Sequence, residues 1–183
     1  MNKIAVIGCG GAGKSNLSIK LGKLISIPVH HLDCMFWKPG WISTDRNEFV
    51  KLQNDIFTND HWIIDGNYGG TMDLRLEQAD TIIFLDLPTI VCISGALRRY
   101  FKYRNATRPD MTEGNAERIT LEFLKYVWTY RTKRQPPIIE KLKNMTKEKK
   151  VIILNTRQEI ASFLSFTAKK EIQSDVAKAT PLT

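Results

Sequence analysis

The chain has 183 residues, of which 43% are apolar and 25% are charged. This composition predicts one folded domain and excludes a disordered chain, a collagen-like repeat and a coiled coil. No apolar run reaches the ~18 residues that a membrane-spanning helix needs. The three cysteines are widely spaced and form no CxxC pair, which is typical of reduced thiols. We therefore expect a cytoplasmic protein without a membrane partner.

The positive charge is concentrated in one part of the chain. The formal net charge is +8, and residues 98–150 contain 15 basic and 6 acidic residues, whereas the remainder contains 12 basic and 13 acidic residues. Such an asymmetry predicts a surface that meets an anion, which is a nucleic acid, a lipid surface or the phosphates of a nucleotide. The charge distribution alone does not choose among them.

Strands and helices are predicted to alternate along the chain. Short, continuously apolar runs predict five strands, at residues 4–7, 28–32, 61–64, 81–85 and 151–154. Apolar residues at helical spacing predict the helices between and after them. These are residues 14–25, a helix from an N-cap at Thr44 or Asp45 to Phe57, a short one ending near Ala79, one starting at Pro88, residues 116–131, one ending near Met145 and a last one ending near Phe166.

This alternation predicts an α/β protein with a parallel sheet covered by helices on both faces, a three-layer α/β/α arrangement. The single domain is expected to span residues 1–166, and residues 167–183, which contain few large apolar side chains, to form a loosely ordered tail. Ligands of such sheets bind beyond the carboxyl ends of the strands. Asp33, Asp65 and Asp86 each follow a predicted strand and are therefore candidate site residues.

A phosphate-binding loop is predicted between the first strand and the first helix. Residues 8–15 satisfy the pattern G-x-x-x-x-G-K-[ST], in which glycines let backbone N–H groups surround a phosphate at a helix N-terminus. Lys14 is expected to bridge the β- and γ-phosphates of ATP, and the Ser15 hydroxyl to ligate Mg²⁺. The residues predicted to bind the nucleotide are Gly8, Gly10, Gly11, Ala12, Gly13, Lys14, Ser15 and Asn16.

The same glycines also fit a dinucleotide-binding fingerprint. Gly8, Gly10 and Gly13 spell G-x-G-x-x-G, and Asp33 follows 20 residues after Gly13, where such a fold places a ribose-binding acid. That fingerprint has no use for a lysine and a hydroxyl directly after its last glycine. Lys14 and Ser15 therefore favour the phosphate-binding loop of a nucleoside triphosphate.

The strand-end carboxylates suit different roles in phosphoryl transfer. Asp65 is expected to support Mg²⁺ together with Ser15, and Asp33 to contact the phosphoryl acceptor or take its proton. Asp86 precedes Leu87 and Pro88 and is expected to be structural. A zinc site at His30, His31 and Cys34 is not expected. Adjacent strand residues point to opposite faces, so His30 and His31 do not readily bind one metal ion together. The spacing to Cys34 also matches no recognised zinc pattern. Phe36, Trp37 and Trp41 are expected to pack, either in the core or on the substrate side.

Arginines flank a Pro/Gly-containing loop at residues 105–115 and predict a lid at residues 98–134 that closes over the triphosphate. We expect one arginine of the pair Arg98 and Arg99, and one of the pair Arg131 and Arg134, to contact the migrating phosphoryl group. The remaining arginines of the segment are expected to be solvated, namely Arg104, Arg108 and Arg118.

Four stretches resemble the topology modulation protein family (FlaR-like), small P-loop kinases similar to adenylate, shikimate and gluconate kinases. They are GCGGAGKS at 8–15, HHLDCMFWKPGW at 30–41, IIDGNYGGTMDLRLEQADTIIFLDLP at 63–88 and ATRPDM at 106–111. The resemblance covers residues 1–165. It implies the P-loop NTPase fold with strand order 2-3-1-4-5, ATP as phosphoryl donor and an arginine-bearing lid. It also places Asp65 beside Ser15, and residues 155–157 where related kinases hold adenine.

The sequence therefore favours an ATP- and Mg²⁺-dependent phosphotransferase of the nucleotide-kinase type, acting on a small-molecule acceptor that it does not identify. The alternative is an ATP-binding regulator associated with nucleic acid, whose basic segment at residues 98–150 would contact backbone phosphates. The chain contains no recognised DNA-reading motif to support that alternative.

Overall fold

A five-stranded, all-parallel sheet organises the molecule. The computed structural model describes residues 1–179, and its sheet has the order β2-β5-β1-β6-β7. These strands are β1 (Lys3–Gly8), β2 (Val29–His31), β5 (Trp62–Asp65), β6 (Thr81–Leu85) and β7 (Lys150–Leu154). Helices cover both faces, so the predicted three-layer architecture and strand order are confirmed.

The central strands are apolar throughout because both of their faces are covered. The side chains of residues 4–7, 62–64 and 82–85 are fully buried. Val6 pairs with Asp65 on one side and with Ile83 on the other, which fixes the register of the three central strands. This register brings the end of β5 beside the loop that follows β1.

Eight α-helices and one short 3₁₀ helix, Gly69–Thr71, occupy the described residues. The α-helices are α1 (Lys14–Ile25), α2 (Leu32–Phe36), α3 (Arg46–Phe57), α4 (Met72–Gln78), α5 (Thr89–Tyr103), α6 (Leu121–Lys133), α7 (Gln135–Met145) and α8 (Arg157–Ala179). The Asp45 side chain caps α3 by accepting the N–H groups of Asn47 and Glu48, so the structure selects Asp45 from the two predicted candidates, Thr44 and Asp45. No helix of residues 1–179 combines the length and the hydropathy that a bilayer crossing requires.

Several boundaries differ from the sequence-based prediction. The helix predicted to start at residue 116 starts at Leu121, because the Thr120 hydroxyl caps the Phe123 N–H and residues 104–117 are held by isolated β-bridges. The helix predicted to end near Phe166 continues to Ala179, and Thr167 is buried within it. Part of the predicted loose tail is therefore helical, and residues 180–183 lie outside the described residues.

The predicted aromatic loop after the second strand is instead a short helix, α2, followed by a hairpin. Its strands are β3 (Trp37–Lys38) and β4 (Ile42–Ser43), paired in antiparallel fashion. In the turn between them, Trp41 has φ = 62°. This is the left-handed region, where a bulky side chain is strained.

Replacement of Trp41 tests this backbone conformation. Trp41→Gly and Trp41→Ala both lose the indole contacts, but only alanine keeps a Cβ in the left-handed region. We expect the glycine variant to be more stable by roughly 0.5–1 kcal/mol, measured by urea denaturation. A lower urea midpoint for Trp41→Gly than for Trp41→Ala would contradict the left-handed geometry.

Candidate active site

One large cleft lies at the carboxyl edge of the central strands. Its volume is about 1170 Å³, and it reaches from the loop at residues 8–15 to the segment at residues 98–134. Ten basic and four acidic side chains line it. The basic ones are Lys14, Arg98, Arg99, Lys102, Arg108, Arg118, Lys133, Arg134, Lys141 and Arg157, and the acidic ones are Asp33, Asp65, Asp110 and Glu117. This excess of positive charge favours an anionic ligand.

The loop at residues 8–15 is shaped by close backbone packing. A Cβ on Gly11 would lie 2.1 Å from the Cys92 carbonyl oxygen in α5, and Gly11 also has a positive φ of 79°. Gly13 forms the N-cap of α1 in the left-handed region. The Lys14 ammonium donates to the Cys9 carbonyl at 3.0 Å, so this cation lies folded back on the loop.

Asn67 ties this phosphate-binding loop to α6. Its side-chain oxygen accepts the Gly8 N–H at 3.2 Å, and its side-chain NH₂ donates to the Tyr126 hydroxyl at 2.8 Å. On the same side, a Cβ on Gly10 would lie 2.9 Å from the Phe123 ring. The loop is therefore held between the segment after β5 and the helix that follows the lid.

A fully buried guanidinium shapes the segment that carries Asn67. Arg75 donates to the carbonyl oxygens of Gly66, Asn67 and Thr71 at 3.1–3.3 Å and to the Gln53 side chain at 2.9 Å. Burial lowers the pKa of Arg75 to about 10. The helical periodicity of α4 gave no indication of this role, which depends on contacts distant in sequence.

The sequence predicts Asp33 at the end of the second strand. In the structure it lies in the first turn of α2 instead. Its carboxylate accepts the Tyr68 hydroxyl at 2.7 Å and Nη2 of Arg108 at 3.2 Å. Burial and the Asp33 charge raise the pKa of Tyr68, so its hydroxyl remains a donor. Asp33 is thus held at the cleft wall by one neutral donor, Tyr68, and one cationic donor, Arg108.

Arg108 is buried, with 5% of its surface exposed, so the expectation that it is solvated is wrong. Besides Asp33, its Nε lies 2.9 Å from Oε2 of Glu117, without hydrogen-bond geometry, and 3.7 Å from Asp110. Glu117 also pairs with Arg99 at 3.1 Å. Burial would lower the pKa of Arg108, but the surrounding carboxylates more than offset it and raise the pKa. The two arginines and the three carboxylates here largely balance one another's charge.

Residues 104–120, the central part of the lid segment, rest on α2 and on the hairpin. The Thr112 hydroxyl donates to the Cys34 carbonyl at 2.9 Å. The Asn115 side chain donates to the Lys38 carbonyl at 3.0 Å and accepts the Trp41 N–H at 2.8 Å. These bonds close the cleft on the side opposite the phosphate-binding loop.

Ser15, Asp65 and Asp110 line the same cleft. Asp65 is buried, and its carboxylate lies 2.8 Å from Nδ1 of His31. Burial alone would lower the pKa of His31, but the nearby Asp65 carboxylate raises it. Burial would raise the pKa of Asp110, but Arg108 and a hydrogen bond from Ser15 lower it. Among the side chains that the structure describes, which end at residue 173, no group of three His, Cys, Asp or Glu is placed to enclose a metal. A hydroxyl and one or two carboxylates suit Mg²⁺, which takes few protein ligands beside phosphate oxygens.

The other predicted residues are divided between the cleft and the surface. Arg98, Arg99 and Arg134 line the cleft, and the Arg134 guanidinium lies 4.9 Å from the Tyr126 ring centre. Arg131 is exposed and does not line it. Asp86 accepts a hydrogen bond from Gln135, in keeping with a structural role. The aromatic residues of the hairpin, Trp37 and Trp41, pack on the cleft side.

Solved structures share this fold. No family model and no curated protein matches the chain. A shikimate kinase from Acinetobacter baumannii in complex with shikimate is 15% identical and has a TM-score of 0.54, with 99% of this chain and 96% of that chain covered. A shikimate kinase from Bacteroides thetaiotaomicron is 15% identical with a TM-score of 0.52, over 91% of this chain and 96% of that chain.

A gluconokinase from Sinorhizobium meliloti 1021 is 13% identical, covers 98% of each chain and has a TM-score of 0.53. At these identities the likeness is one of fold. The chain therefore shares the fold of these kinases, with the loop at residues 8–15 directly after the central strand.

Arg75→Met tests the role of the buried guanidinium. Methionine fills much of the volume but leaves the carbonyls of residues 66, 67 and 71 without their donor. We expect a loss of about 3 kcal/mol or more in the free energy of unfolding, measured by urea denaturation. The exposed Arg98→Met is the control and should change stability by less than about 0.5 kcal/mol. Equal stability of the two variants would contradict the assignment.

Proposed function

We propose that the protein is an ATP-dependent kinase that phosphorylates a small molecule. One observation carries the proposal, namely that the phosphate-binding loop at residues 8–15 opens into the same cleft as Asp33 and an excess of basic side chains. Phosphoryl transfer requires mainly alignment and positive charge around the migrating group, and this cleft contains the residues for both.

The donor half of the cleft is formed by the phosphate-binding loop. Its N–H groups and the N-terminus of α1 favour the phosphates of ATP. Lys14, now on the Cys9 carbonyl, would turn to the β- and γ-phosphates. Arg157 lines the cleft directly after β7 and supports placing the nucleoside at residues 155–157.

The metal would be held by the hydroxyl of Ser15 with Asp65 and Asp110. Mg²⁺ bound there supplies charge neutralisation for the β- and γ-phosphate oxygens. The sequence predicted Ser15 and Asp65 as metal-binding residues but not Asp110, which would add a carboxylate from the lid.

Asp33 would orient the acceptor. An acceptor oxygen forms a bond to the γ-phosphorus, the bond from that phosphorus to the bridging oxygen breaks, and ADP leaves. Where that oxygen belongs to a hydroxyl group, its proton passes to the Asp33 carboxylate, whereas an anionic phosphate oxygen carries no proton to transfer. Arg98 and Arg134 would stabilise the charge on the migrating group, whereas Arg99 is paired with Glu117 and Arg131, at the surface, does not line the cleft.

The basic segment is accounted for by the cleft. Of the 15 basic residues at positions 98–150, eight line it. A phosphate-bearing ligand therefore explains the charge asymmetry without nucleic acid. We also propose membership of the topology modulation protein family, which rests on the motifs given above. The motif at residues 106–111 contains Arg108 and Asp110, both of which line the cleft.

Lys14→Ala tests the donor site. The variant removes the cation expected on the triphosphate, so ADP release should fall at least about 100-fold, while the thermal unfolding midpoint stays near the wild-type value. The exposed Lys20→Ala, on the same helix, is the matched control and should retain activity. Undiminished ADP release by Lys14→Ala would remove the kinase proposal.

Arg134 and Arg131 form a second matched pair. Arg134→Ala should lower kcat by about 10³-fold or more, because a cation on the migrating phosphoryl group acts mainly in the transition state. Arg131→Ala removes the same charge one helical turn away and should leave kcat within about twofold of wild type. Steady-state ADP release measures both variants. Equal losses in the two would show that only overall charge matters.

A further inference from the structure

We propose that Trp41 and Arg118 form a stacking site for the acceptor, which is therefore a compound with a flat unsaturated ring and an anionic group. This inference rests on the proposed kinase function and names its substrate class. A nucleoside 5′-monophosphate is the simplest compound with both features.

The first support is the backbone of Trp41. Its φ of 62° is unfavourable for a bulky residue, and the Asn115 side chain holds its N–H at 2.8 Å. Strained residues that the surrounding structure holds in place are concentrated at ligand sites. Because the indole lines the cleft, the strain serves to position the indole there.

The second support is the cation beside this indole. The Arg118 guanidinium carbon lies 4.2 Å from the Trp41 ring centre, and both residues line the cleft. Arg99 and Arg108 are neutralised by Glu117, whereas no carboxylate of the described residues pairs with Arg118. Arg118 is exposed, so its charge is available to a ligand in the cleft.

The third support is a continuous aromatic row between this pair and Asp33. Tyr68, whose hydroxyl donates to Asp33, lies 4.7 Å from Phe36, and Phe36 lies 4.9 Å from Trp37. The Trp37 ring centre is 5.5 Å from that of Trp41. The row therefore connects the candidate proton acceptor to the stacking pair.

These features favour a flat ring over a saturated polyol. Indole and guanidinium planes attract unsaturated rings through stacking and cation–π contacts. The unpaired guanidinium attracts an anionic substituent. A polyhydroxy acid such as gluconate has the anionic group but no flat ring to stack on Trp41 and Arg118.

The experiment measures ADP release at saturating ATP with three groups of acceptors. They are the nucleoside 5′-monophosphates, the corresponding nucleosides, which lack the anion, and gluconate, which lacks the ring. We expect turnover with at least one monophosphate at a lower KM than with its nucleoside. Turnover of gluconate alone, or an equal KM for nucleoside and monophosphate, would overturn the inference and leave the kinase standing.

Protein variants, assayed with the preferred acceptor, test whether Trp41 and Arg118 bind it. Trp41→Ala and Arg118→Gln should each raise the acceptor KM by about tenfold with a smaller change in kcat. Trp41→Phe should keep turnover, and we expect acceptor binding to quench less tryptophan fluorescence in this variant than in the wild-type protein. The exposed Trp128→Ala and Arg104→Gln, outside the cleft, are the controls. A KM within twofold of wild type in Trp41→Ala would overturn the inference.

Trp41→Gly guards against a folding defect, since glycine adopts the backbone conformation of this position without strain. It should match Trp41→Ala in acceptor KM. The donor site is read separately, by calorimetric titration of the wild-type protein with ATP. Absence of ATP binding would remove the proposed function itself, and ATP binding with no ring compound turned over would overturn only the present inference.

Discussion

The close approach of the phosphate-binding loop to α5 is the constraint on which the site depends. A Cβ on Gly11 would meet the Cys92 carbonyl at 2.1 Å, and a Cβ on Gly95 would meet the Gly11 carbonyl at 2.2 Å. Both contacts tolerate only glycine, so the loop and the helix fit together as backbones. Asn67 and α6 hold the opposite side of the loop. The loop conformation is therefore set by the fold, which reduces what a ligand must spend on ordering it.

Two buried guanidinium groups, those of Arg75 and Arg108, support the rest of the cleft. Arg75 donates to carbonyl oxygens of the segment that supports Asn67, and Arg108 balances the charge of carboxylates in the lid and in α2. Removing Arg75 would leave buried carbonyl oxygens without donors, and removing Arg108 would weaken the charge balance around the buried Glu117 carboxylate. Both cations fix the shape of the cleft, whereas Arg98, Arg118 and Arg134 remain exposed toward a ligand.

The sheet could be predicted from the sequence because each central strand is a short apolar run that is followed by a glycine or an aspartate. The phosphate-binding loop could be predicted because its residues are contiguous. Arg108 could not, because its partner Asp33 is 75 residues away and its burial depends on how the lid docks. The strained turn at Trp41 and the support from Arg75 also depend on distant contacts. Residue pattern alone could not separate Arg134 from Arg131, since their difference arises from where α6 ends.

The most direct measurement is a crystal structure of the protein with Mg²⁺ and a non-hydrolysable ATP analogue. The account predicts that the triphosphate lies in the loop at residues 8–15 and that the Lys14 ammonium leaves the Cys9 carbonyl for its β- and γ-phosphates. An analogue bound elsewhere, or a lysine still on the carbonyl with the loop empty, would contradict it.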